Sequence, residues 1–372
     1  MNKRIFSGIL VTALILLVCV GCGSKKKDKE TTAAPTTEAT SETTEKETTE
    51  EASTKLATTE KLTTEDEKHK GLVQSDLTGE WITPEENAKR PIGVMINNID
   101  VCWPHSGIGK ADIVYEMTCE GGITRLLALY SDYSELDKIG SIRSARQYFV
   151  MKCFEHDGIL VHVGGSTYGK AAIRDFSVDD VDGIYEGVFY RTSDREAPHN
   201  CYIDTDGIDS SIASHGYRTT HNSDYEKIYS FNAEDTPLAK GEKAETVTCR
   251  YNSFTKPYFE YDSKTKLYNR FEYGQAHIDD QTGEQLTFKN ILVVFSIVTP
   301  MPDGSYNDVA LNGSGTGYYA TDGKIIPIKW EKSDDYSVTK FYTEDGSPLL
   351  LNPGKTCVEY FDTKDSDRVT WE

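Results

Sequence analysis

A long stretch near the start of this chain cannot build a core, and it fixes where the fold must lie. From Ser24 to Glu86 the sequence is drawn mainly from Thr, Glu, Lys, Ser and Ala, as in TTAAPTTEATSETTEKETTEEASTK, and its first aromatic residue is Trp81. So little apolar surface does not offset the entropy of ordering a chain. Residues 23–86 are therefore expected to form a disordered tether. A flexible coil of about 60 residues has a root-mean-square span of ~40–50 Å, enough to hold a domain away from a surface. The folded part is left to residues 87–372.

The first 22 residues have a different texture. Lys3 and Arg4 precede an apolar run from Ile9 to Val20, which ends in Cys19-Val20-Gly21-Cys22. The run is too short for a comfortable membrane span. It resembles a bacterial lipoprotein signal, with Cys19 where Leu is usual. That resemblance implies lipidation at Cys22, an anchor in the cell membrane and a protein on its extracytoplasmic face.

Lys and Arg together number 40 against 60 Asp and Glu, for a formal charge of −20. A phosphate backbone needs a basic face, so nucleic acid is not expected as a partner. Six cysteines remain beyond the signal, Cys102, Cys119, Cys153, Cys201, Cys249 and Cys357. Six thiols allow 15 pairings, and the apolar settings of Cys153 and Cys357 fit free buried thiols as well as bridges. No Cys/His set has metal-ligand spacing, so no metal is expected.

Residues 87–222 alternate strand-like and helix-like runs. Ile92–Asn97, Ala111–Met117, Ile123–Tyr130 and Ile159–Val163 are β-prone. Gly121-Gly122 supplies a tight turn. Ser144 is placed to cap a helix whose apolar stripe includes Tyr148, Phe149 and Cys153. Gly164-Gly165-Ser166 joins a strand to a helix, but with neither GxGxxG nor a phosphate-loop lysine, so no nucleotide cofactor is expected. Residues 220–244 are polar and turn-rich, as a linker would be. From Glu245 to Glu372 short alternating runs are punctuated by Gly, Asp and Asn. The fold class expected is α+β, an N-terminal mixed α/β domain (87–222) followed by a mostly antiparallel β domain (245–372).

Several segments resemble the DUF3048 family: ADIVYEMTCEGGITRLLALY, IGSIRSARQYF, HVGGS and APHN, then HIDDQTG, NGSGTGYYATDGKIIPIKW and LNPGKT. The resemblance covers both family segments, from about residue 88 to the end. This chain has Trp103-Pro104-His105-Ser106-Gly107 where the family tends to have Arg-Pro-Gln-Ser-Gly, and Cys357 where it tends to have Trp. The resemblance implies fold and location and brings no established reaction.

The polar residues of these segments carry the functional expectation. Arginine's planar fork suits bidentate capture of carboxylate or phosphate. Arg125, Arg143, Arg146, Arg191 and Arg195, with His162, His199 and Asn200, are candidates for one anion-binding cleft at the strand ends. The competing reading is that these arginines serve as internal bridges to Glu116, Glu120, Asp112 and Asp194. The occupant expected is a cell-wall polymer or envelope protein. Glu116, Glu120 and His199 are the candidates for catalysis. A second possibility is a hydrolase or transferase acting on wall glycan or glycan-phosphate, using Glu120 with Arg143 and Arg146. A scaffold without a small ligand is the third. No Gly-x-Ser-x-Gly elbow occurs, and His277 reads as part of a turn.

Overall fold

In the computed structural model, which describes residues 68–372, the run Ile92–Asn98 (β1) is buried along its whole length. It is covered on both faces and paired at both edges. Eleven strands make this sheet: β1, β2 (Ile113–Thr118), β3 (Thr124–Tyr130), β4 (Ile159–His162), β5 (Asp180–Asp182), β6 (Glu242–Lys243), β7 (Asn290–Ser296), β8 (Gly313–Thr321), β9 (Lys324–Lys332), β10 (Lys340–Thr343) and β11 (Thr356–Asp362). Their order is β6-β9-β8-β7-β11-β2-β3-β1-β4-β5, with β10 also paired to β9.

Alternation along each strand divides the apolar residues between two cores. Met95, Leu127, Leu160, Leu292 and Val358 face one core. It is completed by α1 (Gln147–Glu155), whose Tyr148, Phe149 and Cys153 are buried, and by α2 (Thr167–Asp175). Val94, Ile96, Leu126, Val161 and Val293 face the other. There they meet α3 (Thr205–His215) and a second, six-stranded sheet built from 246–249, 258–262, 267–272, 275–276, 287–288 and 369–371. The β8–β9 hairpin turns at Asp322-Gly323, both with positive φ, as a two-residue primed turn requires.

Both parts of the chain contribute to the one large sheet. β11 is inserted between β7 and β2, parallel to both, and places Glu359 opposite Val293 on one side and Glu116 on the other. The division expected between residues 222 and 245 thus follows the order of the chain, while in space strands from both sides of it lie within one compact unit. After Glu245 the large sheet is antiparallel at the β7–β8, β8–β9 and β9–β10 pairs, and β11, parallel to β7 and β2, is its exception.

Three local expectations are corrected. The tether was expected to run to residue 86, yet Leu77 is buried in the core and Trp81 stacks on His69 at 4.0 Å. Thr83 and Glu86 close a capping box around Pro84–Asn87. The polar 220–244 segment is no free linker. Ile228, Tyr229 and Phe231 are buried, and Tyr229 Oη lies 2.8 Å from Tyr115 Oη. Ser144 does not cap α1. Its hydroxyl donates to Val163 O at 2.9 Å, and the N-cap position is Arg146. Ser166 does cap α2, accepting from Gly169 N. The targeting segment expected from the sequence, with Cys22, lies outside the described residues.

Candidate functional site

The β2–β3 hairpin ends in Glu120-Gly121-Gly122, with positive φ at both glycines. Its register sets Thr118 opposite Thr124, and Arg125 opposite Asn97 of β1. Arg125 and Arg146 are almost fully buried. Both reach Glu120 of the hairpin tip. Arg125 Nη2 donates to its Oε1 at 3.1 Å, Arg146 Nε donates to its Oε2 at 2.9 Å, and Arg146 Nη2 also bonds Oε1. Arg125 Nη1 and Arg146 Nη1 donate to the backbone carbonyls of Ser144 and Ala145, respectively, at 2.9 Å each. Burial opposes ionisation of Glu120, but the Arg146 hydrogen bonds and the Arg125 charge outweigh it and hold the carboxyl at about 2.

Arg143 stands in the same group and is different. Among the described residues its guanidinium has no ion pair, and its buried Nε has no hydrogen-bond partner. Burial, then the positive charge of Arg125, lowers its pKa from the usual guanidinium value. Arg125 Nε is likewise buried and unpartnered. Glu120 thus serves two guanidiniums, those of Arg125 and Arg146, and Arg143 stands beside them as a third. His199 lies beside them. Its Nδ1 is 2.9 Å from Asn97 Nδ2 and 3.6 Å from Cys102 Sγ. Burial, then the Arg143 charge, pushes its pKa down, which favours the neutral imidazole.

The other candidates are committed to the frame. Arg195 donates to Cys102 O at 2.7 Å and Pro104 O at 2.9 Å, clamping the loop around Trp103. Arg191 Nη1 donates to Asn200 Oδ1 at 2.9 Å, and Asn200 Nδ2 donates back to Thr192 O at 2.6 Å. His162 is buried between Gly164 O, 2.8 Å from Nδ1, and Asp180 Oδ2, 3.0 Å from Nε2. The five arginines do not form one ring. Arg125, Arg143 and Arg146 gather around Glu120, and Arg191 and Arg195 have separate partners.

Glu116 belongs to a second group, inside the protein. It is fully buried and accepts from Arg270 Nη2 at 2.6 Å and from Asn98 Nδ2 at 3.0 Å. The same two donors reach Glu272 Oε2, at 2.9 and 3.0 Å. Glu359, beside Glu116 across the β2–β11 pairing, accepts from Tyr251 Oη at 2.9 Å. Arg270 also bonds His277, whose Nε2 lies 2.8 Å from His105 Nδ1 and whose ring stacks on Trp103 at 3.9 Å. Three buried carboxyls thus face one buried guanidinium. Burial, then the Glu116 charge, pushes Glu272 up to about 8 and Glu359 well above the carboxylate range. Burial also holds His105 down to about 3, so both histidines are neutral.

Glu116 and Glu120, paired as candidates by their nearness in sequence, thus face different partners. The second group is missing from the sequence expectations, and His277, expected in a turn, lies at its centre. One signal was available. In Leu267–Glu272 the buried positions alternate as Tyr268, Arg270 and Glu272, so two charged residues share the inward face with a tyrosine. All six cysteines in the described residues are buried free thiols.

Comparison with known proteins supplies the relationship. Residues 77–218 match the family model described as "Protein of unknown function (DUF3048) N-terminal domain", and residues 247–358 match the corresponding C-terminal domain. The chain is 27% identical over 300 residues to a Bacillus subtilis protein named "Putative lipoprotein YerB", covering 80% of this chain and 89% of the relative. The crystal structure of the YerB protein from Bacillus subtilis superposes with a TM-score of 0.71 at 28% identity, covering 81% of this chain and 99% of the other.

Proposed function

The chain belongs to the DUF3048 family, and on that premise we propose that it is a lipid-anchored protein of the extracytoplasmic membrane face that captures an anionic envelope ligand beside Arg143. One observation carries the binding reading: among the described residues Arg143 is a half-buried guanidinium without a carboxylate partner, next to two others that share Glu120. Desolvated arginine without a counter-charge is unfavourable, and a phosphate or carboxylate from a ligand would relieve it with charge-assisted bonds. Wall polymers and envelope proteins offer such groups. The ionised state of Glu120 favours binding over glycan hydrolysis, since a carboxyl held near 2 has no proton to give as a general acid at neutral pH.

Calorimetric titration of the full-length protein with inorganic phosphate tests the site. Arg143→Ala is expected to weaken binding by about tenfold or more while leaving the fold intact, because no ion pair is lost. Equal affinity in both proteins would contradict the proposal. The anchor rests on the Gly21-Cys22 signal and on the relative's name. Cys22→Ser is expected to move the protein from the membrane fraction to the medium, read by immunoblot. Retention in the membrane fraction would argue against a lipid at Cys22.

A further inference from the structure

A cleft of about 1020 Å³ opens between the hairpin tip at Gly121–Ile123, the Ile99-Asp100 turn and the second sheet. That volume lies at the upper end of the ~300–1,000 Å³ usual for small-molecule sites. None of the five arginines lines it, so it is a separate feature. Its walls mix ring faces with hydroxyl, amide and charged groups.

The aromatic part is held in place. Phe254 lines this cleft and is 79% exposed, so its ring is open to a ligand. Its loop is tied down by Asn252, whose Oδ1 accepts from Phe254 N at 2.8 Å and Thr255 N at 2.9 Å. Asn252 Nδ2 donates to Gly122 O at 2.5 Å, joining the two walls. Tyr258 is stacked on Phe271 with an interplanar angle of 5°, and the Tyr273 hydroxyl donates to Asn98 O at 2.8 Å. The Tyr258 and Tyr273 rings are thus presented with little conformational freedom to lose on binding, and the Phe254 backbone is fixed beside them.

The charge of the lining selects the ligand. Asp100 and Lys256 are its charged residues, one of each sign, and among the described residues neither has an ion pair. A polyanion meets no net attraction there, and an acyl chain would bury polar groups. A sugar ring matches both features, with apolar C–H faces for the aromatic rings and hydroxyls for Asp100, Lys256 and Ser253. We infer that this cleft is a binding groove for an uncharged oligosaccharide. It is independent of the anion site, so one can fail without the other.

Calorimetric titration of the full-length protein with chitotetraose and with cellotetraose tests the inference. Saturable binding of at least one is expected. Phe254→Ala, a change at an exposed side chain, should weaken it by about tenfold, and Tyr258→Ala should do so to a similar extent. Arg143→Ala should leave it unchanged. Binding of neither tetrasaccharide, or binding indifferent to both aromatic substitutions, would overturn the inference.

Discussion

Replacing Arg270 by Met is expected to lower the unfolding free energy by ~3–5 kcal/mol, the loss typical when one partner of a buried ion pair is removed. The guanidinium is fully buried and lies among Glu116, Glu272 and Glu359, which come from three different strands. Burial disfavours its charge, and the neighbouring carboxylates, Glu116 first, more than restore it. Without it the carboxyls of Glu116, Glu272 and Glu359 stay buried with no cation among them. Urea titration followed by tryptophan fluorescence measures the loss. A loss below about 1 kcal/mol, the ordinary value for an exposed pair, would show that the group does not hold the two sheets together.

Glu272→Gln is expected to have the opposite sign at alkaline pH. The folded-state pKa of Glu272 is raised to about 8 from 4.5. Between those values the folded protein keeps a proton that the unfolded chain has released. The stability linked to this proton is complete below about pH 4.5 and is lost as pH rises through about 8. A glutamine keeps the neutral shape and has no proton to lose. The variant should therefore show a shallower fall in stability from pH 5 to pH 8.5, and at the upper end it should exceed the parent by a few kcal/mol, on the order of the pKa displacement. Glu359, also raised, leaves part of the slope in place. Glu120 acts in the other direction. Its depressed pKa contributes stability above about pH 4.5 that is lost as pH falls through about 2. Parallel pH profiles for parent and variant would contradict the assignment of Glu272 as a buried proton carrier.

What the sequence made legible was local. The β2–β3 hairpin, its glycine tip and the nearness of Glu120, Arg125 and Arg146 follow from spacing within about thirty residues, and the structure brings those three together. Ser166 as a helix cap was readable for the same reason. What stayed hidden depends on long-range pairing. Glu116 and Arg270 are 154 residues apart, and no periodicity connects them. The insertion of β11 between β2 and β7 is equally invisible to a local pattern, although it decides that both parts share one sheet. In 220–244 the polar average concealed Ile228, Tyr229 and Phe231, whose burial is a tertiary fact. His162 and Arg195 drew notice as functional residue types, and the structure spends both on backbone carbonyls and neighbouring side chains.

The arginine group and the buried carboxyl group are linked through β1. Asn97 touches His199 and Cys102, while Asn98 touches Glu116 and Glu272. Adjacent residues on a strand point to opposite faces, so the end of β1 presents one amide to each group. The buried group fixes the strand ends, and the strand ends set the position of Arg125 and, through the Arg143 N–H bond to Met95 O at 2.9 Å, of the Arg143 backbone.

The most direct measurement is an NMR titration of the arginine Nε–H resonances of the ¹⁵N-labelled protein with inorganic phosphate. Saturable shifts of the Arg143 and Arg125 signals, with the Arg195 signal unmoved, are the predicted result. Arg143 and Arg125 signals that stay in place while phosphate is raised into the millimolar range would contradict an anion site at these residues.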